Sequence, residues 1–195
     1  MAKIKLTKNE LKSQRDALKR FQRYLPTLQL KKQQLQMEMR KLDLEINKKH
    51  QEEKAARSSL ASWIHLYSEP IDLSEYVSIQ RLKTSRGNIA GVNIPILEDL
   101  EFHEDTPDLF ETDAWIDQGV DTLKQLMRLR VERQVMEEQH RLLSEELRTT
   151  TQRVNLFEKV KIPEAKENIR VIRIFMGDQQ TASVARSKIA KGKGA

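Results

Sequence analysis

Residues 18–46 read LKRFQRYLPTLQLKKQQLQMEMRKLDLEI, and the spacing of their apolar side chains decides the fold. Ile4, Leu11, Leu18 and Leu25 recur every seven positions on one line, which continues through Met39 and Ile46. Phe21, Leu28, Leu35 and Leu42 recur on a second line beside it. A register held for about six heptads is that of a helix lying along another helix. The stripe is too narrow to be wrapped by a globular core of its own, so the chain must supply a partner.

Upstream, Thr7-Lys8-Asn9-Glu10 has the form of a capping box, which starts the helix near Thr7. Pro26 falls inside the pattern and removes one backbone donor, which predicts a bend. The unchanged register at Leu25, Leu28 and Leu35 predicts that the helix continues through it. Leu30, Met37 and Leu44 form a further apolar line away from the seam, either a period-two accident or, the favoured reading, a surface for a second protein, since a two-helix rod has nothing to cover it with. The first helix is expected to run to about Tyr67 and stop before Pro70.

From Tyr76 the period changes. Val77, Ile79 and Leu82, then Ile89, Val92, Ile94 and Ile96, are β-branched runs flanking Gly87-Asn88, and they read as a β-hairpin turning at that pair. Gly91 suggests a bulge or close backbone approach, and Pro95 an edge position. Glu98 to Asp113 is acidic, with Pro107, and reads as a loop or short irregular segment, with Asp113 capping a helix that begins around Ala114 to Trp115.

The second helical arm carries Ile116, Val120, Leu123 and Met127, then Leu129, Met136, Leu143, Leu147, Val154 and Phe157. Its register shifts near Met127, as at a stutter in a supercoil. His140 falls on an inward line. Pro163 marks another bend, after which Ala165, Ile169, Ile172 and Met176 resume the stripe. The reading is therefore a mainly α chain, a long antiparallel two-helix coiled coil with a short β-hairpin inserted at the bend. Residues 1–67 form its first helix, 68–113 the acidic middle with the hairpin, 114–190 the second helix and 191–195 a flexible basic tail. The seam is expected at Leu11, Leu18, Phe21, Leu25, Leu28, Leu35, Met39, Leu42 and Ile46. Facing them are Met136, Leu143, Leu147, Val154, Phe157, Ile169 and Ile172.

Composition agrees. Of 195 residues, 33% are charged and 38% hydrophobic, with 6 Gly, 5 Pro and no Cys, which suits a helical rod rather than a large core. The net charge of +6 is unevenly spread. Residues 1–60 hold 16 basic against 7 acidic side chains, residues 61–115 hold 3 against 11, and residues 116–195 hold 16 against 11. An antiparallel hairpin would place both basic arms at one end and the acidic bend at the other, so unlike partners are expected at the two. The basic N-terminus lacks an apolar signal region, and no stretch approaches the ~18 apolar residues of a spanning helix. A soluble chain, reaching a membrane only through partners, is the expectation.

Catalytic chemistry is not legible. There is no Walker A loop, and Ser85-Arg86-Gly87-Asn88 reads only as a turn. The histidines at 50, 65, 103 and 140 include no pair at metal-ligand spacing. No cofactor, metal or catalytic residue is assigned. A basic nucleic-acid binder would need a base-reading module or an aromatic platform, and the sequence offers neither. A coiled-coil scaffold or adaptor shares the same physics and is the alternative reading.

The order of motifs separates the two. Lys5-Leu6-Thr7-Lys8-Asn9-Glu10-Leu11, the run from Arg20 to Lys31, Asn88-Ile89-Ala90-Gly91-Val92-Asn93-Ile94-Pro95, and Arg153-Val154-Asn155-Leu156-Phe157-Glu158 with Ile162-Pro163 resemble, in order, segments of the D-subunit family of V-type rotary ATPases. The hairpin loop here is short, and Phe157 stands where the family often has Leu. The resemblance implies a non-catalytic rotor shaft, cytoplasmic and peripheral to the membrane. Its terminal end would enter the ring of catalytic A and B subunits. Its lower part would bind the small F subunit and seat on the adaptor subunit of the rotor ring. Arg15, Arg23 and Arg170 are the expected contacts with the catalytic head.

Overall fold

The structure, a computed structural model, describes residues 4–59, 76–104 and 116–193. In chain order it has helix α1 (Lys8–Ser59), strands β1 (Val77–Ile89) and β2 (Val92–Glu104), helix α2 (Ile116–Asn155), a π-helical turn (Leu156–Lys161) and helix α3 (Ile162–Gly192). The chain is mainly α with one antiparallel hairpin. The expected helix end near Tyr67 and Pro70, the Asp113 cap and the start at Ala114 to Trp115 lie outside the described residues. Two compact units share α1: one is Met1–Gln33 with Arg148–Ala195, the other Gln34–Leu147.

In the first unit the helix start follows from Thr7. Its hydroxyl accepts the Glu10 amide at 3.3 Å, and its carbonyl accepts the Leu11 amide at 2.9 Å. Leu6, just before the cap, packs with Leu11, four residues into the helix, as a hydrophobic staple. Leu11 joins Ile169 and Ile172 in a buried cluster flanked by Ile4, Leu18 and Met176. Further along, Phe21 meets Phe157 with ring centroids 5.2 Å apart, a pair worth about 0.5–1.5 kcal/mol beyond its burial. As α1 advances from Leu11 to Phe21, its partner recedes from Ile169 to Phe157, so the helices are antiparallel. Pro26 lies within unbroken α-helix, with the Thr27 hydroxyl donating to the Tyr24 carbonyl at 2.8 Å.

The second unit adds a third element to the same kind of pair. Leu35, Leu42 and Leu143 bury one another, with Met39, Ile46, Met136 and Leu147 beside them, and the hairpin contributes Ile89, Val92 and Ile94 to that cluster. The Gln139 side-chain amide donates to the Pro95 carbonyl at 2.6 Å and ties hairpin to α2. Nearer its base, the hairpin places Val77, Tyr76 and Phe102 against Ile116, Val120, Leu123 and Met127. The shift in periodicity near Met127 marks an added partner: among the described residues α2 packs on the base of the hairpin before it, and on both α1 and the hairpin tip after it.

Strand register explains how one hairpin serves two clusters. Ile89 pairs with Val92 and Gly87 with Ile94, whereas Ile79 pairs with Phe102 and Val77 with Glu104. Alternation puts the first group on one face and the second on the other. Gln80 is an extra residue in β1 and Glu98 an extra residue in β2. Such bulges, in a two-stranded ribbon that twists strongly anyway, turn the opposite face inward partway along.

Two hairpin expectations are corrected. The turn is at Ala90-Gly91, not Gly87-Asn88, with φ of 51° and 82°, the left-handed pair of a type I′ turn. The Asn88 side chain holds it by accepting the Gly91 amide at 3.0 Å and donating to the Asn93 side chain at 3.0 Å. Gly87 lies within β1, so Ser85 to Asn88 is strand, and a Cβ built on Gly87 would run into the Ile96 side chain. Close approach thus belongs to Gly87 and the turn to Gly91, the reverse of the sequence reading. The acidic run from Glu98 is strand as far as Glu104, not loop. Its charges are carried in part by ion pairs, Glu98 with Lys83 at 2.9 Å and Glu104 with Lys124.

Candidate functional site

The residues with the most to explain lie along the helix pairs. In the first unit Leu11, Val154, Ile169 and Ile172 are buried, and Leu18, Phe21, Leu25, Leu28 and Phe157 half-buried. In the second, Leu35, Leu42 and Leu143 are buried, and Met39, Ile46, Met136 and Leu147 half-buried. The two heptad lines of α1 do not end at Ile46. They continue to Lys49 and Glu53, and there they change from apolar to ionic.

Glu53 is only 7% exposed. Its carboxylate accepts from Arg133 at 3.2 Å and from Arg57 at 2.7 Å, while Arg133 also reaches Glu137 at 2.6 Å. One turn earlier, the Lys49 ammonium bridges Glu132 at 2.8 Å and Glu52 at 3.1 Å. Hydrogen bonds to Glu132 and then Glu52 hold the Lys49 ammonium above its usual range, and Glu137, then Glu53, do the same for Arg133. A buried carboxylate with two guanidinium donors is tolerated because its lone pairs are filled. No buried side-chain polar atom among the described residues lacks a partner. Reading the sequence alone misses this layer, because charged residues look like the end of the seam; extending the seven-residue count would find them. His140, expected on an inward line, sits at its rim. Its Nε2 is 3.1 Å from Asp43, and its side chain is 35% exposed.

Arg15, Arg23 and Arg170 are exposed, all in the first unit. Arg170 is held by Glu167 on the same helix at 2.7 and 2.9 Å. That pairing pushes the arginine up and holds the Glu167 carboxyl below its usual range. Leu30, Met37 and Leu44 are also exposed, at 57%, 59% and 72%.

Two surface depressions belong to the second unit. One, about 320 Å³, is lined by His50, Glu53, Lys54, Arg57 and Arg133. The other, about 360 Å³, is lined by Phe102, Glu104, Asp121, Lys124, Gln125 and Arg128. Both are edged by ion pairs already satisfied within the unit. Among the described residues no group of three His, Asp or Glu side chains is placed to hold a metal ion, and no helix is long and apolar enough to cross a membrane. Apolar seams thus join the helices within each unit, and in the second unit ion pairs cross between α1 and α2.

A family model described as the D subunit of ATP synthase matches residues 10–192. The V-type ATP synthase D subunit of Borreliella burgdorferi is 48% identical over 191 residues, covering 98% of this chain and 95% of that one. The proteins of the same description from Chlamydia caviae and Chlamydia abortus are 35% and 34% identical over 195 residues, each match covering 98% of this chain and 94% of the relative. With its full helical and hairpin sequence aligned to these relatives, the chain belongs to the D-subunit family of V-type ATP synthases.

Proposed function

We propose that this chain is the central-stalk rotor subunit of a V-type ATP synthase or ATPase. It would couple ATP synthesis or hydrolysis in the catalytic A/B head to proton or sodium translocation, by rotation. The observation that supports this most is the helix pairing, antiparallel in each unit and sealed by heptad seams, in a chain of this family. A shaft must transmit torque without shearing. An apolar seam resists separation of the helices, and rungs such as Glu53–Arg133 and Lys49–Glu132 oppose sliding of one helix past the other.

On this reading the chain carries no catalytic residue. Three catalytic sites around an asymmetric shaft are held in different states because each A–B interface meets a different surface of it. Turning the shaft exchanges those contacts, a population shift driven by differential binding. The unit holding both chain ends would enter the head, with exposed Arg15, Arg23 and Arg170 making weak, reversible contacts. The remainder would meet the small F subunit and the rotor-ring adaptor, with the exposed Met37 and Leu44 of α1 as candidates for partner contact. Membrane association would come only through the complex.

The test is co-assembly followed by turnover. Purified A, B and F subunits should capture the chain, and the reconstituted complex should hydrolyse ATP in a manner coupled to ion movement. A chain that acts only as a scaffold or adaptor would fail to co-assemble, or would leave coupling unchanged when omitted.

A further inference from the structure

The π-helical turn at Leu156–Lys161 has no counterpart in α1, and the seam on either side of it explains why. In α1 the lines run in strict sevens, Leu11 to Leu18 to Leu25. Across the turn, Val154 to Ile169 and Phe157 to Ile172 are each 15 positions apart, one more than two heptads. In uninterrupted α-helix one surplus residue would swing the following stripe about 100° around the axis. Yet Val154, Ile169 and Ile172 are all buried, and Phe157 lies against Phe21. The surplus has been absorbed. The Ile162 amide donates to the Phe157 carbonyl, five residues back rather than four, and a π turn takes up one residue more than an α turn.

Proline is the competing cause, since Pro163 begins α3 directly after the turn. Pro26 argues against it. That proline sits in the interior of α1, where the heptads are unbroken, and the helix there remains α. Proline alone does not make a π turn in this molecule; a surplus residue accompanies the one that forms.

We infer that the Leu156–Lys161 turn is a phase joint. A single inserted residue is stored as π-helix, so the seam stays in register on both sides. Within the packed seam between Val154 and Ile172, the joint is also the point whose backbone yields first to twist or opening. Its six residues include none that is buried, and Leu156 and Val160 are 44% and 48% exposed. Apart from Phe157 against Phe21, little packing therefore opposes local opening.

Removing one residue inside the joint should convert it to α-helix. Without Lys159, the positions facing α1 become Phe157, Ile162, Ala165, Ile169 and Ile172, a regular three-four spacing with Ile162 in place of Lys161. Because Pro163 would then lie inside continuous α-helix, the deletion is made in a Pro163→Ala background. The full-length chain is followed by amide hydrogen exchange and thermal unfolding. In the Pro163→Ala protein, amides 157–162 should still exchange faster than those of the turns on either side. Deletion of Lys159 in that background should bring them to the flanking protection. Its unfolding midpoint should stay within about 3 °C of the Pro163→Ala protein. Deletion of Lys19, which breaks the strict heptads of α1, should lower the midpoint by roughly 10 °C or more. A second deletion within the joint, of Glu158, should behave like that of Lys159.

The inference is overturned if Pro163→Ala alone abolishes the fast exchange, which would make proline the cause. It is equally overturned if both joint deletions cost as much as that of Lys19. Neither outcome depends on whether the chain turns in a complex.

Discussion

The two units use one seam chemistry and finish it differently. Around Gln34–Leu147, the pair formed by Leu35, Leu42 and Leu143 is covered by the hairpin residues Ile89, Val92 and Ile94. Around Met1–Gln33 and Arg148–Ala195, among the described residues Ile4 and Leu6, ahead of α1, join Leu18 and Met176 of the helices themselves over Leu11, Ile169 and Ile172. From Gly177 to Lys193 every residue of the terminal helix and its cap is exposed. Where a third element arrives, the seam can give way to charge at Lys49 and Glu53 without loss of alignment. Where none arrives, the pair rests chiefly on apolar phase, with the Asn168 amide donating to Gln14 at 3.4 Å across it, and a π turn keeps that phase.

If cover is what distinguishes the units, equivalent truncations should cost different amounts. Leu143→Ala leaves a cavity under the hairpin that neighbouring side chains cannot fill by shifting. Urea unfolding should show a loss in the upper part of about 2–5 kcal/mol, with Ile172→Ala in the lower part. Equal losses would remove the distinction. The ionic layer gives the next largest effect. Glu53→Ala leaves Arg133 with Glu137 and returns Arg57 to solvent. It should therefore cost about 1–2 kcal/mol in the same assay through the lost charged hydrogen bonds, whereas Glu53→Met should cost less than about 1 kcal/mol, because a well-packed apolar residue replaces a buried ion pair at little penalty. A cost for Met as large as that for Ala would mean that the pair itself stabilises the unit.

Gly87→Ala should displace the tip of the exposed Ile96 side chain at a cost that the entropy gained by replacing a strand glycine offsets to within about 1 kcal/mol. A Gly87→Ala/Ile96→Val double variant should be more stable than the Gly87→Ala and Ile96→Val effects added together. In the other unit, Thr7→Ala removes a helix cap and should cost about 1 kcal/mol, read from the thermal midpoint.

The smallest expected effect is pH dependence. The Glu98, Glu138 and Glu167 carboxyls are held below their usual range by hydrogen bonds from Lys83, Arg141 and Arg170. Their contribution is present above the ordinary carboxylate value and is lost as pH falls through their lowered folded values. Lys49 and Lys83 are held above 10.5 by Glu132 and Glu98, so theirs is present below that value and lost as pH rises through the raised one. The unfolding midpoint should be flat from roughly pH 5.5 to 9.5 and fall gently outside it.

Much of this was legible because a seven-residue period is a long-range signal. Six heptads of α1 specify a partner helix whatever the local propensities. The rest failed where local chemistry was ambiguous. Gly87-Asn88 looks like a turn, but Asn88 instead clamps a turn three residues later, and only cross-strand register reveals that Gly87 makes room for Ile96. Lys49 and Glu53 were invisible as seam residues because burial of charge depends on partners some 80 positions away. The π turn was present in the numbering, as the spacing of 15 from Val154 to Ile169, and its meaning emerged only once both residues were seen to be buried.

The central claim is that the chain turns relative to the catalytic head. Because it contains no cysteine, one introduced by Arg23→Cys is unique in the chain and can be paired with a second placed in the facing catalytic subunit. In the assembled complex, oxidation to the disulfide should stop ATP turnover, and reduction should restore it to the level before oxidation. Unchanged turnover with the cross-link fully formed would contradict rotation of this chain.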